Sequence, residues 1–90
     1  QNRLQVTCDF NGYHREVCPH ALGSKHERQQ VLAFQFGGGS SRKLLPAGEW
    51  RSMVLENICN IQLRHGPWHT GDDLARQLSC FDHIDVELKS

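Results

Sequence analysis

Two arginines, Arg15 and Arg51, stand in short apolar-rich stretches beside the aromatic residues Tyr13 and Trp50. A guanidinium presents a planar fork of N–H donors that takes a phosphate or carboxylate through two parallel hydrogen bonds. Tyr13 and Trp50 offer flat faces on which a base or another planar ligand can stack. Together with His20 they make the preferred ligand-binding group: Tyr13, Arg15, His20, Trp50 and Arg51. The plainer reading pairs the arginines with nearby acids such as Glu16 and Glu49 and has His20 cap a strand end.

A secondary candidate anion site is the loop Gly37-Gly38-Gly39-Ser40-Ser41-Arg42-Lys43. Its backbone N–H groups, the hydroxyls of Ser40 and Ser41 and the charges of Arg42 and Lys43 could cradle a phosphate. It lacks the Gly-Lys-Ser/Thr ending of a nucleotide-binding loop, and a plain flexible connection is the alternative. Zinc is the next chemistry to weigh. Cys18, His20, His65, His69, Cys80 and His83 are ligand types, but no two cysteines stand at finger spacing, and Gly66 and Pro67 break the His65–His69 pair. No metal or other cofactor is expected. No nucleophile elbow, His-Glu-x-x-His run or catalytic-cysteine signature is present, so catalytic residues are not expected either.

These residues must be held by strands. Leu4 to Phe10 alternates with period two, Asn11-Gly12 suits a two-residue hairpin turn, and Tyr13 to Cys18 returns as a second strand ending near Pro19. Gln30 to Phe36 is apolar on both faces, with Leu32, Phe34 and Phe36 opposite Val31 and Ala33, and so reads as a strand buried on two sides. Glu49 to Leu55 and Ile58 to Leu63 are further strands, joined by a tight helical turn at Leu55-Glu56-Asn57-Ile58. Thr70 and Asp73 form a capping pattern before Leu74 and Leu78, which predicts a short helix within Gly71 to Ser79. Ile84, Val86 and Leu88 alternate in a last strand, and Trp68 is read as a lid on the bottom of the fold or else as a partner contact. The fold class is mainly β: a small, bent, SH3-like or Sm-like barrel of five to six strands, with one short helix near the C-terminus.

Three segments also carry a family resemblance. Arg15-Glu16-Val17-Cys18-Pro19-His20-Ala21-Leu22 resembles the R-x-V-x-P-H-x-L strand of WYL domains. Val31-Leu32-Ala33-Phe34 is similar to that family's apolar strand ending in Ala-aromatic, and Trp50-Arg51-Ser52-Met53-Val54-Leu55-Glu56-Asn57-Ile58 to its W-R-x-F-x-L-D-R-I. The likeness covers about residues 10–63 and leaves 64–90 as a C-terminal extension. The name-giving Trp-Tyr-Leu is replaced by Gln29-Gln30-Val31, and Cys18 stands where the family has an acid. The resemblance implies an Sm-like barrel serving as a regulatory, ligand-sensing module. The ligand would be a nucleotide or single-stranded nucleic acid, and the setting bacterial transcriptional or phage-defence regulation. It also places Arg15 and Arg51 at recurrent basic strand positions.

The totals agree with a small binding module. Ninety residues make one domain, and ten basic against ten acidic residues leave no net charge with histidine neutral. No whole-chain field therefore attracts nucleic acid or an anionic membrane, and any anion site must be local. No apolar run is long enough to span a bilayer, and Gln1 to Phe10 has no export-signal core, so a cytoplasmic, membrane-free protein is expected. In that compartment Cys8, Cys18, Cys59 and Cys80 are expected as unbridged, mostly buried thiols. The alternative function is a protein–protein module that assembles with itself or with a regulatory partner and holds no small ligand.

Overall fold

The computed structural model describes residues 4–39 and 48–87. Six strands and one short helix follow one another as β1 (Gln5–Phe10), β2 (Tyr13–Lys25), β3 (Arg28–Gly38), β4 (Glu49–Val54), a single 3-10 turn (Leu55–Asn57), β5 (Ile58–Arg64), α1 (Leu74–Leu78) and β6 (His83–Glu87). The β1–β2 hairpin turns on Asn11 and Gly12, both at positive φ, as the Asn-Gly pair predicts. The β2–β3 hairpin turns the same way on His26 and Glu27, which carry φ of 53° and 65° without a glycine.

β2 does not end at Pro19, as expected from the sequence, but runs on to Lys25. The reason lies in its register against β3, which slips between Pro19 and Ala21. A bulge is a place where a strand tolerates a proline, because the missing N–H falls where the ladder is already interrupted. The bulge lets one long strand serve two neighbours on its second edge. Val17 to Tyr13 pair with β1, and Ala21 to Ser24 pair with β6. Gly23 makes the second pairing possible, since a Cβ there would run into the His83 carbonyl.

All pairings are antiparallel, and the sheet order is β4-β3-β2-β1-β5, with β6 joined to β2 off this path. The path is open: β4 and β5, at its two ends, are linked through the 3-10 turn and not by a ladder. Phe10, Val17, Ala33 and Met53 form the core on the inner face, with Val6, Val31 and Ile58 packed against them. The outer face of the sheet is crossed by the segment from Gly66 to Asp72. There Gln5 Nε2 donates to the Pro67 carbonyl (2.6 Å), the His69 N–H donates to Cys18 Sγ (3.2 Å) and Phe36 stacks on His69 at 4.2 Å between ring centroids. Thus β3 is buried on both faces, as its apolar run predicts, from Leu32 to Gln35.

The helix is shorter than the expected Gly71–Ser79 and begins without a side-chain cap. Asp73 at its N-cap is left-handed, with φ 64°, and Thr70 gives its hydroxyl to His20 instead of the helix. The four cysteines are free, but only Cys8 and Cys18 are buried; Cys59 and Cys80 are exposed, against the expectation of mostly buried thiols. Cys59 lies in β5, which buries little, and Cys80 in the turn that follows α1. Among the described residues no helix is long and apolar enough to cross a membrane.

Candidate functional site

Strand alternation decides which candidate residues meet. Tyr13, Arg15 and Val17 point to the inner face of β2, Ala33 and Gln35 to that of β3, and Arg51 and Met53 to that of β4. Arg15 and Arg51 therefore converge, and the residue between them is Gln35. Its Oε1 accepts from Arg15 Nη1 at 3.2 Å and from Arg51 Nε at 3.1 Å. Its Nε2 donates to the carbonyls of Gly37 (2.9 Å) and Gly39 (3.1 Å), so the glutamine is fixed at both ends of its amide.

The two cations differ. Arg51 has a carboxylate neighbour, Glu49, at 3.6 Å. Arg15 is only 5% exposed and forms no ion pair among the described residues. Its Nη2 reaches the Phe10 carbonyl at a long 3.4 Å, and its Nε is buried with no hydrogen-bond partner. The rings of Phe10 and Tyr13 lie 5.1 and 5.8 Å from its guanidinium carbon. Burial, and next the charge of Arg51, lower the pKa of Arg15 from its ordinary value. Both effects say the same thing physically: the positive charge here is under-compensated. The plainer pairing with acids holds for Arg51 and Glu49 only, because Glu16 faces outward and binds Arg64 at 3.0 Å.

His20 and Trp50 are on the other face. Trp50 and Arg51 are consecutive strand residues and so point opposite ways. The Trp50 indole donates from Nε1 to the Asp72 carbonyl (2.7 Å) and meets Phe34 and His20 edge-on. His20 sits between Trp50 and Trp68, each 4.8 Å away between centroids. Its Nδ1 donates to the Cys18 carbonyl (2.8 Å), so its Nε2 accepts from the Thr70 hydroxyl (3.1 Å). Trp68 thus lids His20 on the outer face. The open cleft beside Trp50, about 520 Å3, is lined by Phe34, Asp72 and Gln77 among others; Glu49, which also borders it, has its carboxylate 3.6 Å from Arg51.

The five preferred residues therefore divide into Tyr13, Arg15 and Arg51 on the inner face and His20 and Trp50 on the outer. Ser40, Ser41, Arg42 and Lys43 lie outside the described residues. Of the glycines before them, Gly39 spends its N–H on the His14 carbonyl (2.8 Å). Gln35 escaped the sequence reading, although one signal marked it: a lone amide inside the apolar run from Val31 to Phe36. Among the described residues no three His, Cys, Asp or Glu side chains gather closely enough to hold a metal ion. Burial raises the Cys18 thiol pKa against the opposing His69 hydrogen bond, and it raises that of Cys8 against the charge of Arg15.

Comparison of the chain with models of known families, with curated proteins and with solved structures gives no match.

Proposed function

We propose that this chain is a regulatory binding module, not an enzyme, that takes an anionic ligand at Arg15 and Arg51. A nucleotide, a short single strand of nucleic acid or another phosphate-bearing molecule fits that chemistry. One observation carries the reading: two guanidinium groups share a single glutamine oxygen, and the more buried of them has an unpartnered N–H and no carboxylate among the described residues. A phosphate in reach of both would form charge-assisted hydrogen bonds worth about 1.5–3 kcal/mol each. Tyr13, 40% exposed and beside Arg15, is the aromatic surface available to a base. The zero net charge adds no long-range attraction, so affinity would depend on this local pair.

The WYL-like reading of the three sequence segments supports the same role, in a bacterial cytoplasmic regulator of transcription or phage defence. An Sm-like or SH3-like bent barrel is supported by the strand order β4-β3-β2-β1-β5, with the 3-10 turn joining the two outermost strands.

The test is a calorimetric titration of nucleotides and short single-stranded oligonucleotides into the parent and into the Arg15→Ala and Arg51→Ala variants. Either variant should bind at least tenfold more weakly, a loss of about 1.4 kcal/mol. Arg76→Ala, in α1, should bind like the parent. A double Arg15→Ala, Arg51→Ala variant that is folded and binds as tightly as the parent would overturn the reading.

A further inference from the structure

The inner face has a second end, away from the arginines, and it is apolar and open. Among the described residues the exposed large apolar side chains are Tyr13, Ile61, Leu63, Ile84 and Val86. Four of these five are on β5 and β6. Ile61 is 56% exposed although it borders, with Val6, Val31, Leu55 and Ile58, an apolar cavity of about 150 Å3. Leu63 lies opposite Val6 in the β1–β5 ladder, hence on the same face, and is 64% exposed. Among the described residues β5 pairs with β1 alone, so its other edge has no strand partner there along the same margin. A free edge next to exposed aliphatic side chains is a template for another strand, and folds that do not use such an edge usually blunt it with charge or proline.

Charge selects both the edge and the occupant. From Ile58 to Leu63, β5 carries no charged residue. Two copies laid antiparallel along it would therefore oppose neutral side chains throughout. At the ends, the Arg64 terminus of one copy would approach the 3-10 turn of the other, which carries Glu56. Both residues are held now in surface ion pairs, Arg64 with Glu16 and Glu56 with Arg28, which contribute little and are easily exchanged. The free edge of β6 is different. An antiparallel pair centred on Val86 would set Asp85 of one copy against Glu87 of the other, one centred on Asp85 would set Asp85 against itself, and like charges directly opposite destabilise a ladder. On β4 the inward apolar residue, Met53, is already buried.

We propose that a second copy of this chain covers the open end of the inner face. The two copies would pair β5 with β5, antiparallel about a twofold axis, with Ile61 and Leu63 buried between them. Antiparallel pairing of identical edges is self-complementary and closes at two copies. The proposal is independent of anion binding at Arg15 and Arg51.

Sedimentation equilibrium of the 90-residue chain, over about a hundredfold range of concentration, should show reversible monomer–dimer exchange. Leu63→Lys places a charge on an exposed edge position and should weaken dimerisation at least tenfold, with an unchanged circular dichroism spectrum. Ile84→Lys should leave it as in the parent. Amide hydrogen exchange of Ile58–Arg64 in the parent should slow as concentration rises, a readout that needs no variant. A parent that stays monomeric throughout, leaving the face to some other partner, overturns the proposal. So does a dimer that survives Leu63→Lys and is lost in Ile84→Lys.

Discussion

Two buried clusters lie on opposite faces of the same three strands, and they resolve their polar atoms differently. On the outer face the two ring nitrogens of His20 meet a carbonyl and a hydroxyl, and two tryptophans enclose the ring. On the inner face Arg15 and Arg51 compete for one amide oxygen, and Arg15 keeps a buried N–H without a partner. Burying a polar group costs little when its hydrogen bonds are made and much when a charge is left short of compensation. The His20 cluster is therefore a packing centre that ties the C-terminal segment to the sheet. The arginine cluster leaves a buried cationic N–H without a partner, which is the feature the proposed anion site rests on.

The largest expected effect is on the satisfied side. His20→Ala removes both hydrogen bonds and opens space between Trp50 and Trp68, and should cost about 2–3 kcal/mol of stability in urea unfolding. Anion affinity at the inner face should stay as in the parent. A folded His20→Ala protein that loses anion binding would join the two clusters into one site and break the contrast drawn above.

Arg15→Met should move stability the other way. Replacing an under-compensated buried cation with an apolar chain of similar length should stabilise the fold by about 1 kcal/mol, while anion binding falls at least tenfold. Loss of stability on that change would mean that Arg15 is a structural residue whose bonds to Gln35 and Phe10 suffice.

The smallest effect concerns the thiols beneath these clusters. Burial raises the pKa of both Cys8 and Cys18, so they stay protonated in the fold after the unfolded thiols, at about pH 8.5, begin to ionise. Their contribution is full below that pH and declines as pH rises past it, so the urea midpoint should fall slightly on the alkaline side. Iodoacetamide should modify Cys59 and Cys80 first, and Cys8 and Cys18 only on unfolding. Rapid labelling of Cys18 in the folded protein would show that the segment over it opens readily.

Local chemistry was legible where it was strong. Asn11-Gly12 marked its hairpin, Leu55–Asn57 its single helical turn, and the two-sided apolar run its central strand β3. Pro19 misled, because a proline reads as a stop unless one knows that a bulge receives it. Thr70 misled as well: its spacing to Asp73 suggested a cap, but a buried histidine nitrogen 50 residues away had the stronger claim on its hydroxyl. Of the candidate residues, the two arginines do converge, on Gln35, and Trp50 was set beside Arg51 because the two are adjacent in the chain. In a strand that adjacency is what separates them.

The amino-acid sequence by itself determined the mainly β class, a short helix near the C-terminus, the Asn11-Gly12 and Leu55–Asn57 turns and the need for any anion site to be local, because these follow from period-two patterning, turn chemistry and a charge sum. Only the tertiary structure decided that Arg15 and Arg51 meet over Gln35, that His20 and Trp50 turn away from them, and that β5 leaves Ile61 and Leu63 open. Those outcomes depend on cross-strand register and on which edge of β2 each neighbour takes. Register is set by the whole set of side chains packed on a face, and no local window of sequence contains that set.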